Sequence, residues 1–146
     1  MLEAIQFIRK AIITRLTGTI TLNATVLPVY NRVPSTSVYP YIYVYSVSTN
    51  ETDFNQTSYI TETLTRIEVV TRFSGDSGGE LQANQAISQI LQLIRTRSAG
   101  YFDLSADGFS VFTCVNEGTT YLTDEDSDYT YFRGIVEISN KIQQIT

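Results

Sequence analysis

The sequence predicts an α+β fold in which a largely antiparallel β-sheet packs against two α-helices. Two segments, one at the N-terminus and one in the middle, carry apolar residues at helical spacing and predict the helices. Several other segments are rich in β-branched and aromatic residues that alternate with a period of two, which predicts strands. A length of 146 residues suits a single domain spanning residues 1–146, with long polar hairpin loops between strands.

The first predicted helix runs from Leu2 to Leu16, where apolar residues recur every three or four positions. Two short β-branched segments follow at 19–22 and 25–30, and a loop rich in turn-forming residues covers 31–37. The N-terminal quarter of the chain is therefore predicted to form one helix and short strands.

The next strand, in the segment YPYIYVYSV, has two unlike faces. Its period of two places tyrosines on one face, and Ile42 and Val44 on the other. The tyrosines are Tyr39, Tyr41, Tyr43 and Tyr45. A tyrosine face is consistent either with a sheet surface beneath a helix or with a protein contact surface, since tyrosine buries a large area while its hydroxyl finds a partner. We take these tyrosines, with Phe54 of the following polar loop, as candidate interface residues.

A long strand from about Tyr59 to Phe73 leads into the segment FSGDSGGEL. This segment resembles the surroundings of a nucleophilic serine in two classes of hydrolase, with Ser77 as the nucleophile. A serine of this type needs a base, usually histidine, and the chain has none. Ser77 and Glu80 instead match a capping box ahead of an apolar-periodic helix. We therefore predict no catalytic residue and assign these two residues to the helix cap.

The C-terminal part is predicted to contain a strand over Phe109–Val115, a polar and acidic hairpin loop over 116–128, and a final strand over 129–142. The acidic residues of the loop are Asp124, Glu125, Asp126 and Asp128. The spacing of the three aspartates matches the start of a calcium-binding EF-hand loop, but the required glycine and glutamate are replaced by Tyr129 and Ile135. A solvated hairpin is favoured over a metal site. In a ring of copies, these loops would form a negative collar that repels DNA.

Composition restricts the classes of function further. The net charge of −5, without a cluster of Lys and Arg, argues against general nucleic-acid binding. Cys114, the single cysteine, lies in an apolar strand and is predicted to be a buried small hydrophobe. The sequence has no secretory signal pattern, no apolar segment of membrane-spanning length, and no phosphate-binding, metal-binding or dinucleotide motif. We expect no enzyme activity, no cofactor and no membrane partner.

The order of segments resembles the tail-completion, or tail-terminator, proteins of tailed bacteriophages. The resemblance begins with the N-terminal amphipathic helix and the segment VYNRVPSTSVYPYIYVYS, and continues with the strand TLTRIEVVTRF and the helix GGELQANQAISQILQLIR. Two closing strands around an acidic hairpin, FSVFTCVNEGTTYLTDEDSDYTYFRGIVEIS, complete it. The resemblance is a pattern of elements over nearly the whole chain and contains no diagnostic motif.

This resemblance implies a structural virion protein that forms a ring, usually a hexamer, at the junction of head and tail. Such a ring ends tail growth, contacts neighbouring neck, connector and tail proteins, and leaves a channel through which DNA passes without sequence-specific binding. Assembly would take place in the cytoplasm of the bacterial host. A monomeric module that binds a protein or glycan through the tyrosine face is the alternative.

Overall fold

The structure is a computed structural model that describes residues 1–52, 57–95 and 102–145. It contains two α-helices, a short 3-10 turn at Ser105–Asp107 and eight strands within these ranges. The helices are α1 (Ile5–Leu16) and α2 (Leu81–Ile94). The strands are β1 (Thr21–Leu22), β2 (Thr25–Val26), β3 (Val29–Tyr30), β4 (Tyr41–Glu51), β5 (Ile60–Ser74), β6 (Phe109–Val111), β7 (Val115–Glu125) and β8 (Tyr129–Gln144).

Six strands form one mostly antiparallel sheet in the order β3-β4-β5-β8-β6, and β7 also pairs with β8. The short strand β3 is parallel to β4, and the other pairs in this sheet are antiparallel. Strand β8 is central, because it pairs with β5 on one side and with β6 and β7 on the other. Strands β1 and β2 form a separate small hairpin. The predicted α+β class is confirmed.

Both helices pack on one face of the sheet and form the hydrophobic core with it. The strand residues that alternate towards the helices are buried aliphatic side chains. They include Ile42, Val44, Ile67, Val69, Val136 and Ile138. The buried stripe of α1 follows the helical spacing of its apolar residues and consists of Ile5, Ile8, Ile12 and Leu16. Full burial of each such large aliphatic side chain contributes about 1.5–3 kcal/mol, so this two-layer packing dominates stability.

A glycine of β8 allows α2 to approach the sheet closely. A Cβ atom at Gly134 would lie 2.9 Å from Cγ1 of Ile87 in α2 and 3.3 Å from Cε1 of Tyr121 in β7. Both distances are shorter than ordinary carbon–carbon contacts of about 3.5–4.0 Å. The missing side chain therefore sets the distance between this helix and the strands beneath it.

The predicted boundaries near the C-terminus differ from the observed ones. The predicted strand over Phe109–Val115 is interrupted after Val111, and most of the predicted 116–128 loop is strand β7. Most side chains of β7 are exposed, because the strand lies at an edge of the sheet. An edge strand exposed in this way lacks the alternation of buried and polar residues by which strands are predicted. The turn between β7 and β8 is short and is closed by a hydrogen bond from the Asp126 amide to the Tyr129 carbonyl.

The predicted capping box is wrong. Helix α2 begins at Leu81 with Glu80 as its N-cap residue, and no side chain caps it. The Ser77 hydroxyl donates to the Ser74 carbonyl oxygen at 2.6 Å, and the Ser77 amide donates to the same oxygen at 3.3 Å. Ser77 thus belongs to the turn that ends β5 and lies too early in the chain to cap the helix.

Candidate interaction surface

The second face of the sheet, here called the open face, carries the candidate residues. It is defined by alternate residues of the four long strands. These residues are Tyr41, Tyr43 and Tyr45 of β4, Arg66, Glu68, Val70 and Arg72 of β5, Tyr131, Arg133, Ile135 and Glu137 of β8, and Thr120, Leu122 and Asp124 of β7. The hydrophobic core, to which both helices contribute, contains none of these residues.

The tyrosines form an aromatic row of two ring pairs along one side of the open face. The rings of Tyr43 and Tyr45 stack with centroids 4.6 Å apart. The rings of Tyr39, just before β4, and Tyr41 lie 5.1 Å apart. Burial raises the pKa of Tyr45, and burial followed by the nearby Tyr39 raises the pKa of Tyr41, so both hydroxyls stay protonated at neutral pH. The row therefore presents large aromatic rings with hydroxyl groups at their tips.

Arg72 joins the aromatic row to the start of β8. Its guanidinium lies 4.5 Å from the Tyr39 ring centroid and 4.3 Å from that of Tyr129, which are cation–π distances. The Tyr39 ring also lies 5.6 Å from that of Tyr131, which is directly paired with Arg72. These contacts connect β5, β8 and the segment just before β4 at one end of the open face.

Paired charges occupy the middle of the open face. The Glu68 side chain is only 9% exposed and accepts a hydrogen bond from Arg133 Nη1 at 2.9 Å. The Tyr45 hydroxyl donates to Oε2 of Glu68 at 3.5 Å. Arg133 Nε also lies 2.9 Å from an Asp124 carboxylate oxygen. Burial of a carboxylate costs free energy unless the group is paired. The contacts with Arg133 and Tyr45 offset this cost for Glu68.

A second ion pair joins β5 to β8 on the same face. Nε of Arg66 donates to Oε1 of Glu137 at 2.7 Å, and both side chains are about one-third exposed, at 39% and 31%. Arg66 and Glu137 lie directly opposite each other on β5 and β8, which explains their contact. The open face thus combines aromatic rings with balanced charges, a composition suited to protein contact.

The structure separates the acidic residues by position. Asp124 and Glu125 end β7, whereas Asp126 and Asp128 lie in the turn. Asp126 accepts hydrogen bonds from the amides of Asp128 at 2.9 Å and Tyr129 at 2.6 Å, which lower the pKa of its carboxyl group. Asp124 contacts Arg133, while Glu125 and Asp128 are exposed at the end of the hairpin. Two of the four carboxylates therefore stabilise local structure.

The remaining candidates show no reactive arrangement. Cys114 is buried, and burial raises the pKa of its thiol, as expected for a small hydrophobe. Over residues 1–52, 57–95 and 102–145, no three His, Cys, Asp or Glu residues gather in a way that could hold a metal ion. Phe54 lies outside the described residues.

Sequence reasoning identified the tyrosines but missed their partners across the sheet. The contacts of Arg72 with Tyr129 and of Glu68 with Arg133 depend on strand register, which local periodicity does not give. The period of two in β8 does place Tyr129, Tyr131 and Arg133 on one face, and this signal could have added them to the candidate surface.

Comparison with known proteins assigns the chain to a family. In the part of the chain that the structure describes, no helix is long and apolar enough to cross a membrane. A search of curated proteins finds no match. The family model described as "Tail completion protein gp17" matches residues 10–143, which is most of the chain. The chain therefore belongs to the tail completion protein gp17 family, whose members are structural proteins of the phage tail.

Proposed function

We propose that copies of this protein form a hexameric ring at the head–tail junction, which completes the tail and leaves a channel for DNA. Membership of the tail completion family supports a place in the virion among other tail proteins. In this proposal the protein acts through shape and repetition, without a cofactor or a catalytic step. Neighbouring neck, connector and tail proteins contact the ring, which assembles in the host cytoplasm.

The observation that carries the proposal is the composition of the open face. Val70 and Glu68 are buried at its centre, and Glu68 contacts Tyr45 and Arg133, yet the core contributed by the helices lies on the other side of the sheet. Tyrosine and arginine are enriched in protein interfaces, where they supply large contact area and specific polar groups. We assign Tyr39, Tyr41, Tyr43 and Tyr45 to contacts with a neighbouring protein molecule.

The acidic turn supports the channel part of the proposal. Glu125 and Asp128 project from the hairpin end, close to Asp124 and Asp126 along the chain. Repetition of this group around a ring would give a negatively charged collar. Such a collar repels DNA phosphates and allows the duplex to pass without binding.

Light scattering after size exclusion tests the ring directly. The mass of the purified protein should equal that of six copies over a range of concentrations and at low and high salt, and electron micrographs should show a central opening. The mass of a single copy at every concentration would contradict the proposal. That outcome would favour the alternative, a monomeric binding module that uses the exposed tyrosines.

A double substitution tests the assignment of the tyrosines. Tyr43→Ser with Tyr45→Ser removes the stacked pair at 4.6 Å from the open face, and the assembled fraction should fall by about tenfold or more, as expected for interface anchors. Tyr59→Ser is the matched control, because Tyr59 precedes β5 and lies outside the open face. Equal loss of assembly in both variants would contradict the assignment.

A further inference from the structure

The sheet has two edges at which no described strand occupies the outer side. Strand β7 pairs only with β8, so its other side is unpaired along Val115–Glu125. Strand β4 is covered by β3 at Ile42 and Tyr43, its Val44 carbonyl accepts from the Asn31 side chain, and residues 45–51 have no described strand on the outer side. Unpaired edges of this length are templates for pairing with another chain.

The backbone groups on the outer side of β7 can be identified from the turn. Asp126 donates its amide proton to the Tyr129 carbonyl, so this pair faces inward across the hairpin. Hydrogen-bonded and non-hydrogen-bonded pairs alternate in an antiparallel ladder. The amides of Thr119, Tyr121, Thr123 and Glu125 therefore point away from β8.

The outer backbone groups of β4 follow from the same alternation of paired residues. The Thr52 amide donates inward to the Ile60 carbonyl, so alternation places the amides of Thr49 and Glu51 on the outer side. The ladder has a bulge between Ser46 and Ser48. The bulge shifts the alternation by one residue, so that even-numbered residues below it have outward amides. The Ile42 amide agrees, because it donates outward to the Pro28 carbonyl oxygen.

The two edges run in opposite directions. Four long strands, in the order β4-β5-β8-β7, are antiparallel in sequence across the sheet, so β4 and β7 are antiparallel to one another. When copies repeat around an axis along the strands, β7 of one copy meets β4 of the next in antiparallel orientation. Because each copy contributes four long strands, an even number, the antiparallel hydrogen-bonding pattern can continue from one copy to the next.

Side chains along the two edges are also complementary. Strand β7 contains no Lys or Pro, residues that commonly protect free edges, and Leu122 and Tyr121 are 47% and 38% exposed. Its charged residues, Glu117, Asp124 and Glu125, are all acidic. Glu51 ends β4 and Glu3 accepts a hydrogen bond from Thr49, whereas the part of β4 around Val44 and Ser46 lies beside basic residues. These are Arg9, which donates to Ser46, its neighbour Lys10, and Arg32, which follows Asn31, the donor to the Val44 carbonyl.

We propose that β7 of one copy pairs, antiparallel, with the uncovered part of β4 of a second copy, and that this pairing closes the ring. The proposal rests on the ring stated under the proposed function and names the surfaces that build it. It also places Tyr45 of β4 at the junction of the two copies, on the same face of the sheet as Leu122 of the neighbouring β7.

Proline at an outward amide tests the pairing. Thr123→Pro removes one outward N–H and none of the hydrogen bonds to β8, and proline is accepted at such edge positions. We expect loss of the ring and the mass of a single copy, with a circular dichroism spectrum like that of the unsubstituted protein. Thr123→Val is the matched control, because it keeps the amide and should keep the ring. A folded Thr123→Pro protein that still forms rings would overturn the proposal.

A mixing experiment tests which two edges meet. Thr49→Pro blocks the β4 edge and leaves β7 intact, whereas Thr123→Pro does the reverse. Each variant alone should have the mass of one copy, and an equimolar mixture should give the mass of two copies and no more. Rings in the mixture, or no association at all between two folded variants, would overturn the pairing of these edges.

Hydrogen exchange of the unsubstituted protein keeps the proposal testable if the proline variants do not fold. In peptides covering Gly118–Glu125, pairing predicts slow exchange for the outward as well as the inward amides, about twice as many protected amides as β8 alone can protect. A ring with rapidly exchanging outward amides would overturn the edge pairing and leave the proposed function intact. A single-copy mass would instead overturn the proposed function and the pairing with it.

Discussion

Gly78 is the residue at which the turn before α2 is most sensitive to substitution. Its φ is +80°, and a Cβ atom there would overlap the ring of Phe73. Left-handed backbone costs a residue with a side chain about 1–2 kcal/mol. We expect Gly78→Ala to lower the free energy of unfolding by about 2 kcal/mol or more, because the Phe73 ring must also move from its contact with Phe132. Urea denaturation measures this change.

The neighbouring Gly79 provides the control for this prediction. A Cβ atom at Gly79 would meet no atom within 4 Å, and its φ lies outside the left-handed region. Gly79→Ala should therefore change the free energy of unfolding by no more than about 0.5 kcal/mol. Equal destabilisation by the two substitutions would show that Phe73 does not restrict the turn.

At the scale of elements, the β7–β8 hairpin depends on the ionised carboxylate of Asp126. The amides of Asp128 and then Tyr129 lower the pKa of this carboxyl group below its ordinary value. The stabilisation is therefore present above the unfolded pKa of about 3.9 and is lost as the pH falls through the lower folded pKa. In an NMR titration, the amide shifts of Asp128 and Tyr129 should change together with a midpoint below about 3.9.

Asp126→Asn separates titration from hydrogen bonding. Asparagine keeps an acceptor oxygen for the two amides but has no proton to gain in this range. The titration of the Asp128 and Tyr129 amides at this midpoint should disappear, while their exchange protection at neutral pH remains. Persistence of the same titration in the variant would assign it to another carboxyl group.

The hairpin also shows which elements the sequence could predict. In β4, one face has the buried Ile42 and Val44 and the other has the tyrosines, so the local alternation revealed both the strand and its faces. Strand β7 is exposed on both faces, and its polar residues were predicted to form a loop. The capping box failed for a related reason: the Ser77–Glu80 spacing was correct, but the turn determines which backbone groups Ser77 contacts.

Contacts across the open face could not be predicted from local patterns. Arg72 and Tyr129 are far apart in sequence, and their proximity depends on the register of β5 against β8. That register is set by the fit of two apolar faces and the turns around them. Sequence reasoning therefore identified the aromatic surface but not the cation or the buried Glu68 that organise it.

For the whole molecule, the central position of β8 makes the last strand essential to folding. A chain ended after Asp128 would lose the only described partner of β7, the partner of β6 and one of the two partners of β5. We expect this chain to show no cooperative unfolding transition by circular dichroism. A chain ended after Gln144 keeps every strand and should unfold cooperatively. Cooperative unfolding of the shorter chain would show that the sheet forms without β8.

Because the proposed ring pairs two different edges, β7 of one copy with β4 of the next, its two rims are not equivalent. One end of every sheet carries Tyr39, the Arg72 contacts and the acidic turn at Asp126, while the other carries the hydrogen bond from the Leu2 amide to Gln144. In head-to-tail repetition all copies point the same way, so like ends gather on the same rim. The two rims are then chemically different. The tail tube and the head can each bind a different rim, so the ring fits between them in one orientation only.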